Sequence, residues 1–151
     1  MGRWMCERTG GQYCGDGVYI GLEQDGKLIA VCGFDNYNGR SLHMHIAAEG
    51  KRWMTKEYLW YCFHYPFVEV GVDKIIGIVE EGNKKAIRFD NRLGFVHEAT
   101  IEDAHPNGAI LILTMTKQQC RFLRNSEGDP SSTTHTGVDD GKQEFSAATA
   151  A

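Results

Sequence analysis

The sequence predicts an α/β (α+β) protein built on a mixed, largely antiparallel sheet flanked by helices. Three observations carry this. Several short runs alternate apolar and polar residues or are rich in β-branched residues. Two stretches switch to helical spacing. Turn signals at Asp25-Gly26 and at His105-Pro106-Asn107-Gly108 join neighbouring runs as hairpins.

Taken in order, Arg3 to Thr9 reads as a helical turn or two. GVYIGLEQ and KLIAVCGF flank Asp25-Gly26 as the arms of a hairpin. The loop DNYNGRS is dense in turn formers. SLHMHIAA sets Leu42, Met44 and Ile46 against His43, His45 and Ala47, the period of a strand. From Lys51 to Val70 the period changes, with Tyr58, Leu59, Cys62, Phe63 and Phe67 at helical spacing and Thr55 as N-cap. Pro66 is expected to end or kink that helix near Tyr65. KIIGIVE is a compact strand. NKKAIRFDNRLG is a short helix, with Asn83 as N-cap and Gly94 past its end. Ala86, Phe89 and Leu93 share one face of it, which is expected to pack on the sheet. FVHEATIEDA and GAILILTMTK close the series. A helix between two strands makes one parallel step in an otherwise antiparallel sheet.

With 151 residues the chain suits one domain with a real core, expected over residues 1–123. Residues 124–151 are rich in Ser, Thr, Gly and Asp, and are expected to be a disordered polar tail, able to dock a protein partner. A net charge of −4 argues against general nucleic-acid binding but allows a local cluster of cations to hold an anionic ligand. No apolar run approaches the roughly 20 residues that cross a bilayer, so no membrane partner is expected. The opening MGRWMCERTGG has no apolar segment of the secretory kind. The five cysteines are odd in number and spread out, which fits reduced thiols in a cytoplasmic protein. With no CxxC pair, zinc has little support.

The most informative stretch is Asn83 to Phe95: Asn, Ala three residues on, then Leu93-Gly94-Phe95. It resembles the fourth-helix motif of the GNAT superfamily of N-acetyltransferases, and the element order over residues 17 to 118 matches that superfamily too. Trp53, Tyr65-Pro66-Phe67, Arg88-Phe89 and Cys120-Arg121-Phe122 resemble most the small acetyltransferase-like proteins of tailed phages and prophages. The resemblance implies a splayed pair of parallel strands, here Leu42 to Ala48 and Lys74 to Glu80, with acetyl-CoA as cosubstrate between them. Backbone groups of Ile46, Ala47 and Ala48 would take the pantetheine as an added strand. A backbone N–H around Ile46 or Ala47 would face the oxyanion. The pyrophosphate would lie at the helix start near Thr55, with Lys51, Arg52 and Lys56 adding positive charge. Asn83 and Phe89 would face the cofactor.

Two departures stand out. The family's glycine-rich phosphate loop holds Gly50, Trp53 and Thr55 at its key positions, so two small residues are enlarged. Asp90 stands where many members carry a Tyr that protonates the leaving thiolate, and an ordinary carboxylate is a poor acid at neutral pH. For the base, His43 and His45 share a strand face, and Glu80 and Glu81 end the next strand. Each of these also reads as an ordinary strand or strand-end residue. His43 and His45 have no indicated third ligand, so no metal is expected. Asp35, in the loop to Ser41, is suited to attract a cationic amine, or is simply a turn residue. The functions implied are transfer of acetyl from acetyl-CoA to a primary amine of a small molecule or protein, a non-catalytic phage accessory or virion protein of the same fold, or an acyl-CoA-sensing module. A homodimer is compatible with any of these.

Overall fold

The Asp25-Gly26 turn forms as the sequence requires. Both residues adopt left-handed backbone (φ 52° and 70°), the geometry that matches the twist of a two-residue hairpin. It joins β1 (Val18–Gln24) to β2 (Lys27–Asp35). The computed structural model describes residues 1–10, 17–124 and the backbone of 144–149. The remaining elements are α1 (Gly2–Thr9), β3 (Ser41–Ala48), α2 (Lys56–His64), a π-helical segment (Tyr65–Val70), β4 (Lys74–Glu80), α3 (Lys84–Leu93), β5 (Val96–His105), β6 (Gly108–Thr116) and β7 (Glu144–Thr149). Every helix and strand expected between Arg3 and Thr116 is present.

The described residues fall into two compact units. The first comprises Met1–Gly33, Ile46–His64 and Phe122–Ala151. Its strands run in the order β3-β2-β1-β7. Met5, Tyr19, Val31 and Ala47 form a buried apolar cluster, with Met1, Trp4 and Leu28 packed against it. α2 buries Tyr58, Leu59, Cys62 and Phe63, and Phe63 stacks on Phe122 with centroids 4.9 Å apart. The Tyr58 hydroxyl, fully buried, donates to the Ile20 carbonyl at 3.0 Å. Burial pushes the Tyr58 phenol far up, and the buried Cys62 and Cys32 thiols beside it add to the rise. The residue is therefore a neutral donor at any physiological pH.

The tail expected over 124–151 lies mostly outside the described residues, as does Cys14. Six tail residues, Glu144–Thr149, run antiparallel to β1, from Val18↔Thr149 to Glu23↔Glu144. They follow the unpaired backbone row that an edge strand presents. The sequence expectation of a tail without regular structure differs here, because composition does not count the ladder bonds an edge offers.

The second unit comprises Phe34–His45 and Tyr65–Arg121, with strand order β5-β6-β4-β3. The predicted parallel step is β3 with β4, in register at Ser41↔Lys74, Leu42↔Ile75 and His43↔Ile76. Asp73 N–H donates to the Arg40 carbonyl at 2.9 Å, which fixes the entry to both strands. β4 then pairs with β6 along its whole length, from Lys74↔Thr116 to Glu80↔Ile110. Leu42, Met44, Ile75, Leu113 and Met115 are buried there.

Pro66 acts as expected at Tyr65, though by widening rather than ending the helix. Proline has no N–H and its ring crowds the carbonyl four residues back, so an i→i+5 turn relieves both problems. Val72 N–H closes the segment on the Pro66 carbonyl at 3.0 Å, and Gly71 turns left-handed at φ 77°.

Replacing Tyr58 by Phe removes the hydroxyl's bond to the Ile20 carbonyl in the core. Tyr58→Phe is expected to lower unfolding free energy by about 1 to 3 kcal/mol, read as a shifted urea midpoint with an unchanged m-value.

Candidate functional site

The proposed phosphate loop belongs to the first unit. Gly50 turns left-handed (φ 70°), and a Cβ there meets nothing within 4 Å, so the turn itself requires the glycine. Trp53, the bulkiest departure from the family pattern, is 7% exposed and meets Tyr58 edge-on at 6.2 Å. Its ring goes into the core of the unit rather than over the loop. Lys51, Arg52, Met54 and Lys56 are exposed around the start of α2.

Thr55 caps that helix as predicted, its Oγ1 accepting from Tyr58 N–H at 3.1 Å. Its own N–H donates to the Trp53 carbonyl at 2.8 Å and is spent. The amides of Lys56 and Glu57, at the first two helical positions, have no intrahelical acceptor. Three cations and a helix dipole thus share one exposed corner. Of the proposed pantetheine residues, Ala47 is buried while Ile46 and Ala48 are half-buried. Along β3 the alternation of buried and half-buried residues breaks at His45-Ile46, which are both half-buried.

The second unit holds Asn83, Phe89, Asp90, His43, His45 and Glu80. Asn83 is exposed, and its Oδ1 accepts from Ala86 N–H at 3.1 Å, so its side chain is engaged as the predicted cap of α3. Gly94 ends the helix left-handed at φ 112°, its N–H on the Asp90 carbonyl at 3.1 Å. Of the predicted packing face, Leu93 is buried, but Ala86 and Phe89 are only half-buried.

Asp90 differs from expectation. Burial lifts its carboxyl from 3.8 to about 6. A carboxyl in that range gives up and takes back a proton near neutral pH. The identity of the residue shows in the sequence; its burial does not.

Glu80 stands 3.2 Å from His105 Nδ1 and 3.5 Å from Asn107 Nδ2, at the β5–β6 turn. His43 and His45 are elsewhere, on β3, and Asp35 at the end of β2 joins them. His45 Nε2 lies 3.2 Å and His43 Nδ1 3.8 Å from Asp35 Oδ1. Asn36 Nδ2 donates to Asp35 Oδ1 at 2.9 Å and faces His43 Nδ1 at 3.2 Å. Partial burial lowers the His43 pKa, Asp35 opposing and His45 adding to the fall. The sequence indicates no third group beside the histidine pair, and the fold brings the Asp35 carboxylate there. The signal was an acidic residue at the end of the neighbouring strand, which sequence spacing does not pair with β3.

No protein-family model and no curated protein matches the sequence. Solved structures do. A probable acetyltransferase is 18% identical with a TM-score of 0.59, over 68% of this chain and 63% of that one. The spermidine/spermine N-acetyltransferase SpeG from Vibrio cholerae is 20% identical with a TM-score of 0.60, over 74% and 72%. The ribosomal-protein-S5-alanine acetyltransferase from Vibrio fischeri is 11% identical with a TM-score of 0.52, over 64% and 58%. The chain therefore spans less than two thirds of the first and third of these proteins. The fold is that of the GNAT acetyltransferases, a mixed sheet with flanking helices. No helix among the described residues is long and apolar enough to cross a membrane.

Asp90→Asn tests the half-buried carboxyl. A pKa raised in the folded state means that folding takes up a proton. Stability is then fully present below the unfolded value of 3.8 and falls as pH rises through about 6. Asp90→Asn should leave Tm unchanged at pH 3.5 and raise it at pH 7.5, where the parent loses roughly 2 to 3 kcal/mol. Calorimetric melts across pH check this.

Proposed function

We propose that the chain is an N-acetyltransferase that moves acetyl from acetyl-CoA to a primary amine of a small molecule or protein. The observation that carries this is the exposed basic corner at the amino end of α2, standing on a GNAT fold with its bulky Trp53 turned inward. In this reading Lys51, Arg52 and the free amides of Lys56 and Glu57 hold the cofactor's diphosphate. The Thr55 hydroxyl caps the helix and keeps those amides aimed outward. The backbone of Ile46 to Ala48 lies along the pantetheine.

The reaction asks little of side chains. A neutral amine attacks the thioester carbonyl, the tetrahedral oxyanion is met by a backbone N–H of β3, and the C–S bond breaks to release CoA thiolate. His43 and His45, with Asp35 beside them, are the groups proposed to act on the amine, ahead of Glu80, which is engaged with His105 and Asn107. Asp90 is proposed to return a proton to the thiolate, a task its raised pKa suits. Polyamines, named for the SpeG neighbour, and protein N-termini are the first acceptors to try.

A thermal melt with acetyl-CoA is the direct test. At about 100 times its dissociation constant the cofactor should stabilise by about 2.7 kcal/mol, a Tm rise of roughly 10 °C. Lys51→Ala with Arg52→Ala should weaken binding and flatten its salt dependence. No shift at millimolar acetyl-CoA would sink the proposal and leave the non-catalytic fold relative. In turnover with an amine, Asp90→Asn should slow CoA release although it stabilises the fold.

A further inference from the structure

We infer that Asp35, His43 and His45 form a binding site for a divalent cation of the zinc class. The argument starts with the strands. His43 and His45 are two apart on β3, so both side chains leave the same face of the sheet about 6.6 Å apart along the strand. Their rings stand with centroids 6.4 Å apart. Asp35, at the end of β2, reaches the same point, and one ligand atom from each of the three lies within 4.8 Å of the others.

Zinc bound by nitrogen and oxygen at about 2.0 to 2.2 Å in a tetrahedron separates its ligands by roughly 3.3 to 3.5 Å. The His45–Asp35 separation of 3.2 Å is just short of this and the His43–Asp35 separation of 3.8 Å just beyond it, so small side-chain rotations bring both into range. Two imidazoles and one carboxylate are a borderline donor set that favours zinc, cobalt or nickel over magnesium or calcium, which take oxygen. The three side chains are 25%, 35% and 26% exposed for His43, His45 and Asp35, so solvent reaches the fourth position.

Asn36 strengthens the case. Its amide nitrogen sits 2.9 Å from Asp35 Oδ1 and 3.2 Å from His43 Nδ1. An N–H donor there answers converging lone pairs, and a cation answers the same lone pairs with more charge. On binding, the short Asn36 side chain swings out. Asp35–His45 and Glu80–His105 are similar two-residue pairs, but only the first acquires a second histidine.

The inference stands on these residues and does not depend on acetyl transfer; with a cation bound, His43 and His45 hold it instead of taking the amine's proton. The test is calorimetric titration of the untagged, chelator-stripped full chain with zinc chloride. One equivalent should bind, and Asp35→Ala, His43→Ala and His45→Ala should each weaken binding by more than about tenfold, the loss that even an outer partner of a ligand causes. His105→Ala should leave it unchanged. Asn36→Asp places a carboxylate oxygen where the amide nitrogen stands, and should tighten binding about tenfold, a gain that no folding defect can imitate. Cobalt in place of zinc should give d–d bands without thiolate charge transfer. No zinc uptake at millimolar concentration, uptake that His45→Ala leaves intact, a thiolate band, or no tightening in Asn36→Asp would each overturn the site.

Discussion

The parallel start of β3 and β4 is the constraint on which the second unit depends. Parallel neighbours cannot be closed by a hairpin, so the chain between them must make a long excursion before returning. The Asp73 N–H to Arg40 carbonyl bond at 2.9 Å sets the register where both strands begin. The Arg40–Asp73 ion pair at 2.7 Å sits over it. That pair is exposed and contributes under about 1 kcal/mol. The backbone bond does the positioning, because a slip of one residue would turn every side chain of β3 to the opposite face. Leu42 and Met44 would leave the core, and His43 and His45 would lose Asp35.

The two units treat buried polar groups differently. Tyr58 is a satisfied hydroxyl among thiols, neutral at working pH, and serves to fix α2 against β1. Asp90 is a carboxyl that burial discourages from ionising, at the end of a helix whose dipole also disfavours negative charge there. Nothing in packing alone favours such a group. Groups held at such a cost gather at functional sites more often than elsewhere.

Much of this was legible in the sequence because it was local. Asp25-Gly26, Thr55, Asn83 and Gly94 each act on their own few residues, and each turn or cap formed where the residue type requires. The period of two in SLHMHIAA gave β3, and the helix between strands gave the parallel step. What escaped was non-local. Asp35 meets His45 across ten residues of loop and strand, and no periodicity connects them. The burial of Asp90 depends on what covers α3, and the half-exposed Ala86 and Phe89 show that an amphipathic stripe does not settle how deeply a helix seats. The ladder of Glu144–Thr149 depends on an open edge that the tail's composition does not reveal. Trp53 reads as an obstruction to the phosphate loop in one dimension, whereas in the fold its ring is buried.

The π-helical segment at Tyr65–Val70 has a consequence for comparing this chain with others. A π turn behaves as an α-helix that has accepted one additional residue, tolerated because proline had already removed a hydrogen bond. Relatives with an unbroken α-helix at this point would be one residue out of step beyond it. Any residue-by-residue correspondence carried from α2 into β4 without a gap would then pair buried positions with exposed ones. Homology lost in this way is an offset of phase rather than a divergence of fold, and the three-dimensional match can survive where the one-dimensional one does not.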